Sequence, residues 1–252
     1  MKILASLCIL AALLCGCSKQ AASEVAPIRV AVASGFVPAL QAVSAVFEAR
    51  NGAKIEFVAG ATGKLAQRIR AGEAFDLILS DDHATVVYLT REKRVIADSA
   101  GCWARGPLAL YGPRVDAKDA APMLKAGEFL KLAVADPDIC PFGIAARETL
   151  DDLGALKPFE ERLVKADDVA QALALVDAKT TDLAVVCYGQ VAARKDGHAW
   201  VVPEHLHAEL AGDVGVVQRE GAHPRARELR DFLLGKEAQE LIEKAGYRRG
   251  TR

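Results

Sequence analysis

IRVAVASGFVPALQAVSAVFEAR, residues 28–50, is the stretch that sets the architecture. Residues 28–33 form a short run rich in β-branched side chains, and Ser34-Gly35-Phe36 makes a turn. From Pro38 onward Leu40, Val43, Val46 and Phe47 recur at helical spacing. The same succession of strand, turn and helix repeats outward along the chain. A strand over 55–58 leads to a helix over 62–71, with Thr62 as its N-cap and Gly72 closing it. A strand over 76–79 precedes a short helix over 84–90. The rhythm restarts near Gly106, with strands over 108–111, 132–135 and 183–186 and helices over 121–129, 144–153 and 169–176, the last capped by Asp168. Strands over 200–202 and 214–217 then precede helices over 224–234 and 236–244. Such alternation predicts an α/β protein in which mostly parallel sheets are flanked by helices. Gly101, Gly106 and Pro107 place a first crossing between two lobes at 101–107, and Ala211-Gly212-Asp213 marks the return. The expected division is lobe 1 at 28–106 plus 212–252 and lobe 2 at 107–211, with the two crossings as the hinge.

The N-terminus speaks to location. Lys2 gives a positive start, residues 3–14 are almost wholly apolar, and Leu14-Cys15-Gly16-Cys17 follows. That apolar run is too short to span a bilayer and reads as the core of a secretory signal. Leu14 and Gly16 before Cys17 fit a lipoprotein signal over 1–17, with Cys17 acylated and 18–27 serving as a tether; an ordinary signal peptide is the alternative. The expected place is the periplasmic side of a bacterial membrane, anchored by lipid only. With 32 basic against 33 acidic side chains the net charge is −1, which provides no reason to expect nucleic acid or a polybasic membrane surface.

Chemistry is expected where helix starts follow small or polar residues. Ser34-Gly35 follows the first strand, Gly60-Ala61-Thr62-Gly63-Lys64 precedes the second helix, and Pro141-Phe142-Gly143 and Asp167-Asp168-Val169 precede two others. Unpaired N–H groups and the helix field at such ends make an anion site without a cationic side chain. Gly60 and Gly63 are too close for a nucleotide phosphate loop, and Leu65 stands where that loop needs a hydroxyl; Lys64 is expected to face solvent. The five histidines form no metal or catalytic motif, and no serine sits in a nucleophile elbow, so neither catalysis, a resident metal nor a cofactor is expected. Asp81-Asp82 reads as capping and lobe packing in preference to a metal-binding pair. Cys102, Cys140 and Cys187 remain beyond the signal, an odd number whose spacing matches no zinc site.

Several segments together resemble the periplasmic molybdate-binding proteins of ABC transporters. They are VASGF (32–36), ATGKLAQRI (61–69), Gly72 with AFD (74–76), LSDD (79–82), ADP (135–137), PFG (141–143) with Ala145 and Ala146, Val169 with QAL (171–173), and DLAVV (182–186). The likeness runs from about residue 28 to Tyr247. It implies a two-lobe periplasmic-binding-protein fold of type II that closes around molybdate, tungstate or a related tetrahedral oxyanion and delivers it, as a monomer, to a transporter permease. The binding positions it implies are Ser34, Gly35, Ala61, Thr62, Phe142 and Val169, the last through its backbone N–H. Gly35 stands where this branch commonly has Asn, Ala61 where it usually has Ser, and Phe142 where Tyr is common, so three side-chain donors are absent. Cys140 adjoins the Pro141 turn and Cys187 ends a strand that, in the resemblance, borders the same cleft. An alternative ligand is therefore thiophilic, an arsenic oxyacid or soft metal ion held by two or three of Cys102, Cys140 and Cys187. A Cys140–Cys187 disulfide and inert buried thiols are the other readings of these cysteines. An anchored enzyme and a partner-binding lipoprotein with a vestigial cleft are the other functional classes.

Overall fold

The opening run forms strand β1 (Ile28–Ala33), a single 3-10 turn at Ser34–Phe36 and helix α1 (Val37–Asn51). In the computed structural model, which describes residues 26–116 and 118–250, β1 is buried along almost its whole length, as expected for a strand covered on both faces. Strand β2 (Ile55–Gly60), helix α2 (Thr62–Arg70), strand β3 (Leu77–Leu79), helix α3 (His83–Arg91) and strand β4 (Gly101–Arg105) follow. The middle of the chain gives β5 (Leu108–Gly112), α4 (Ala120–Ala126), β6 (Leu132–Ala135), α5 (Pro141–Asp152) and β7 (Leu163–Ala166). It continues with α6 (Val169–Asp177), β8 (Leu183–Cys187), the short α7 (Tyr188–Val191) and β9 (His198–Val201). Strand β10 (Ala211–Val216), helices α8 (Ala226–Leu234) and α9 (Lys236–Lys244), and the two-residue β11 (Arg248–Arg249) complete it.

These strands make two sheets, one in each lobe. The first has the order β11-β4-β10-β3-β1-β2 and the second β7-β6-β8-β5-β9. The expectation of mostly parallel sheets needs correction, because both are mixed. β1 is parallel to β2 and β3, and β6 to β7 and β8, but β10 and β5 run antiparallel to their neighbours. The reason is topological. β5 and β10 carry the chain into a sheet from the side of the other sheet, so they run opposite to strands whose C-terminal ends point there.

The crossings also differ from expectation. Residues 101–105 belong to β4, so the first crossing is only Gly106-Pro107; Ala211 to Asp213 already lie in β10, so the return is the segment 202–210. The two crossings lie side by side, with the Gly106 N–H donating to the Leu210 carbonyl at 3.0 Å. An aromatic group joins the lobes at this point. Phe36 lies 5.5 Å from Trp103, 5.4 Å from Tyr247 and 6.3 Å from Phe142, centroid to centroid, and all four are buried.

Candidate functional site

Three adjacent parallel strands in each lobe end at the same seam. On the first lobe, β2, β1 and β3 lead into Ala61-Thr62, Ser34-Gly35 and Ser80-Asp81. On the second, β7, β6 and β8 lead toward Asp168-Val169, Cys140-Pro141-Phe142 and Cys187. Ligands in open α/β sheets gather outside such carboxyl ends. The two sets meet. A Cβ built on Gly35 would lie 3.1 Å from the Cys187 Cβ, 3.1 Å from a Val169 methyl and 3.2 Å from the Phe142 ring. Only the absence of a side chain at Gly35 lets the faces approach this closely. Gly63 acts likewise, its N–H donating to the Ile139 carbonyl across the seam at 2.9 Å, where an added Cβ would stand 2.9 Å from that oxygen.

The structure thus brings Gly35, Phe142 and Val169 into one buried place, with Ser34 beside Gly35 and Ala61 and Thr62 on the adjoining strand end. Thr62 corrects its expected role. Ala61 occupies the N-cap position of α2 without a side-chain cap bond, and the Thr62 hydroxyl accepts the Asp81 N–H at 3.3 Å. Lys64 does not simply face solvent, since it pairs with Asp167 of the other lobe at 2.8 Å. Asp168 caps α6 as read, accepting from Ala170 N–H at 2.9 Å and Gln171 N–H at 3.0 Å. The Val169 N–H, first of that helix, has no intrahelical acceptor by the geometry of helix starts.

Two buried oxygens at the seam have no hydrogen-bond partner among the described residues, the Ser34 hydroxyl and Asp81 Oδ1. Most buried polar atoms are paired, so each such atom calls for an explanation. Asp82 caps α3, accepting the Thr85 N–H at 2.7 Å, which leaves its neighbour Asp81 turned inward and 2 % exposed. Burial raises the Asp81 carboxyl from an ordinary 3.8 to about 7. The sequence reading gave Asp81 only a capping or packing role. Its signal was two consecutive aspartates after a strand, of which one can cap.

The cysteines divide. Cys140 lies at the seam with its thiol 3.9 Å from Asp81 Oδ2, while the Cys187 sulfur points toward the crossing, 3.0 Å from where a Cβ on Gly106 would stand. Cys140 and Cys187 are both free thiols, so no disulfide joins them. Burial pushes Cys187 up to about 12 and Cys140 well above its ordinary value, keeping both neutral. Cys102 lies on β4 with its thiol against the Ala104 carbonyl at 3.9 Å. No group of three or more His, Cys, Asp or Glu among the described residues is placed to hold a metal ion. Soft-metal capture needs thiolates, so the neutral, diverging Cys140 and Cys187 provide no support for the thiophilic alternative. Tyr247, which the sequence marks only as the end of the resemblance, donates its hydroxyl to the Gly35 carbonyl at 2.6 Å and so holds the Ser34–Phe36 turn. The proposed acylation site Cys17, the signal 1–17 and the tether through residue 25 lie outside the described residues.

The family described as bacterial extracellular solute-binding protein matches residues 28–248. The chain is 31 % identical to the molybdate-binding protein ModA of Azotobacter vinelandii over 234 residues, covering 90 % of this chain and 91 % of that one. It is 29 % identical to ModA of Rhodobacter capsulatus, covering 87 % of each chain. The solved periplasmic molybdate-binding protein of Azotobacter vinelandii superposes with a TM-score of 0.82 at 24 % identity, over 87 % of this chain and 98 % of that one.

Proposed function

Since the chain belongs to the family of bacterial extracellular solute-binding proteins, we propose that its solute is a tetrahedral oxyanion, molybdate or tungstate, bound at the seam and handed to an ABC importer. One observation carries the reading: six strand ends, three per lobe, converge on one buried seam that holds a serine hydroxyl unpartnered among the described residues. Ser34 supplies a hydroxyl, and Gly35, Ala61, Thr62, Phe142 and Val169 supply backbone amides, which need no particular side chain. Lobe 1, 28–106 plus 212–252, closes on lobe 2, 107–211, about a hinge at Gly106-Pro107 and the return segment before β10. The ligand binds the closed form better and shifts the population toward it, and the closed form presents itself to the permease. A lipid on Cys17 holds the monomer at the periplasmic face of the membrane.

Thermal unfolding of ligand-stripped protein tests this. The panel is molybdate, tungstate, sulfate, phosphate, arsenate, arsenite and zinc, with and without a thiol reductant. Ligand at a hundred times its dissociation constant stabilises by about 2.7 kcal/mol, a shift of several degrees in a chain of this size. Molybdate and tungstate are expected to produce it regardless of reductant. A shift with arsenite or zinc alone, only when thiols are reduced, overturns the reading.

A further inference from the structure

Asp81 is out of place in an anion site. Its carboxyl is almost wholly enclosed, Oδ1 has no partner among the described residues, and Oδ2 reaches the Cys140 thiol at the head of α5 in the other lobe. It follows β3, next to β1, which ends in Ser34, so the two unpartnered buried oxygens come from neighbouring strand ends. A carboxylate there would stand against a bound dianion in a poorly screened place, and like charges at such range cost several kcal/mol. A carboxylic acid there would instead be a donor. Donors are what the site lacks, since Gly35, Ala61, Phe142 and Val169 bring no polar side chain.

Resting on the oxyanion reading above, we propose that Asp81 enters the complex protonated and donates a hydrogen bond to an oxygen of the bound dianion, so that capture of the solute takes up a proton. Enclosure and the like charge of Asp82 favour this; hydrogen bonds from Thr62 and Cys140 act the other way, and burial outweighs them. Asp168 at the head of α6 and Cys187 at the end of β8 stand nearby, and none of these groups is cationic. The basic side chains of the flanking segments pair elsewhere. Lys64 pairs with Asp167, and His83 pairs with Asp213 at 2.6 Å. Burial raises the carboxyl to about 7 before any ligand arrives, so near neutral pH the acid form is already well populated. An arriving dianion raises it further. The proton comes from solvent and returns there when the lobes open, which makes release easier in a more alkaline setting.

The test is isothermal titration of the purified, ligand-stripped protein with molybdate, a dianion throughout the range used, from pH 6.5 to 9.5. Wild-type affinity is expected to fall about tenfold per pH unit above pH 7.5, the slope for uptake of one proton. Asp81→Asn keeps the shape and a permanent donor, so its affinity should stay flat and exceed wild type by at least tenfold at pH 9. A second readout needs no variant. At pH 8.5 the binding heat of wild type should differ between Tris and tricine buffers by the difference in their ionisation enthalpies, the signature of one proton taken up. Parallel pH curves for wild type and variant, or equal heats in the two buffers, overturn the role of Asp81 while leaving molybdate binding standing. If neither protein binds molybdate at any pH, the oxyanion reading falls and takes this inference with it.

Discussion

The two faces of the seam are built from the same topology and offer opposite chemistry. Each presents the ends of three adjacent parallel strands, but lobe 1 brings polar side chains, Ser34, Thr62 and Asp81, while lobe 2 brings Phe142, Val169 and the neutral Cys140 thiol. In the proposed complex, lobe 1 would discriminate among solutes by hydrogen-bond pattern and protonation, and lobe 2 would contribute backbone N–H groups and an apolar wall that excludes water on closure. On that proposal the difference separates two jobs that a symmetric site would mix, reading the ligand and sealing it.

The largest effect should come from breaking the seal. Gly35 admits the lobe 2 wall at 3.1–3.2 Å from where a Cβ would stand, so Gly35→Leu adds four carbons to space already filled. Overpacking costs about 1–3 kcal/mol in a fixed core, but here the lobes can part to relieve it. Molybdate binding should drop by more than about a hundredfold, the equivalent of roughly 2.7 kcal/mol, while the melting temperature changes little. Small-angle scattering should report a radius of gyration larger than wild type and unmoved by ligand. Wild-type affinity in this variant would place the closing contact elsewhere.

Next is the ligand-free stability of Asp81→Asn. The Asp81 carboxyl is raised in the folded state, from 3.8 to about 7, so between those values the native state holds a proton that the unfolded chain has lost. Wild-type stability should then fall as pH rises from about 4 to about 7 and level off above, a total on the order of 4 kcal/mol at most. Asn carries no charge to bury, so this fall should vanish and the variant should be the more stable protein at pH 8. Denaturant titrations at pH 5 and 8 check the sign. Equal pH slopes would mean that water reaches this carboxyl.

How legible these faces were differs as well. The strands β1 and β8 and the turn at Ser34 were readable because short apolar runs with β-branched side chains, bounded by small or polar residues, leave few alternatives. Strand β4, Gly-Cys-Trp-Ala-Arg, was not, since a glycine start and small residues resemble a connection; its place was decided by pairing with β10. Strand direction has no local signal, so β5 and β10 were misjudged for the same reason. At the site, Ser34, Gly35, Phe142 and Val169 were placed through resemblance in order and spacing. Asp81 escaped because a carboxylate after a strand usually caps a helix, and only the packed structure tells which of two neighbours does so. Tyr247 escaped because its contact with Gly35 spans 212 residues of chain.

A finer test contrasts the reading face with the sealing face directly. The Ser34 hydroxyl has no partner among the described residues, so Ser34→Ala should leave ligand-free stability unchanged or slightly raised. With ligand it should lose a hydrogen bond to a charged group, about 1.5–3 kcal/mol, or roughly ten- to a hundredfold in affinity. Val169→Ala keeps its backbone N–H and should stay within about threefold, below 1 kcal/mol in binding. Titration of both variants with molybdate decides it. Equal losses would mean that Val169 contributes through its side chain and that the division of labour between faces is wrong.

The smallest effect belongs to the pair that crosses between the faces outside the seam. Lys64 and Asp167 are 2.8 Å apart, yet their side chains are 48 % and 61 % exposed. Exposed pairs are screened by salt and must order two flexible side chains, so this one can favour closure only weakly. Lys64→Ala should lower molybdate affinity by less than about fivefold at low ionic strength, in line with at most about 1 kcal/mol for such pairs. At 0.5 M salt the difference should disappear. Removing Asp167 as well separates the pair from the general field of the cleft. If the ion pair is the whole effect, Asp167→Ala adds nothing in a Lys64→Ala background; if Lys64 acts as a long-range attractor for the dianion, Asp167→Ala alone should tighten binding. The second outcome would return to lobe 1 a cationic role that its buried face lacks.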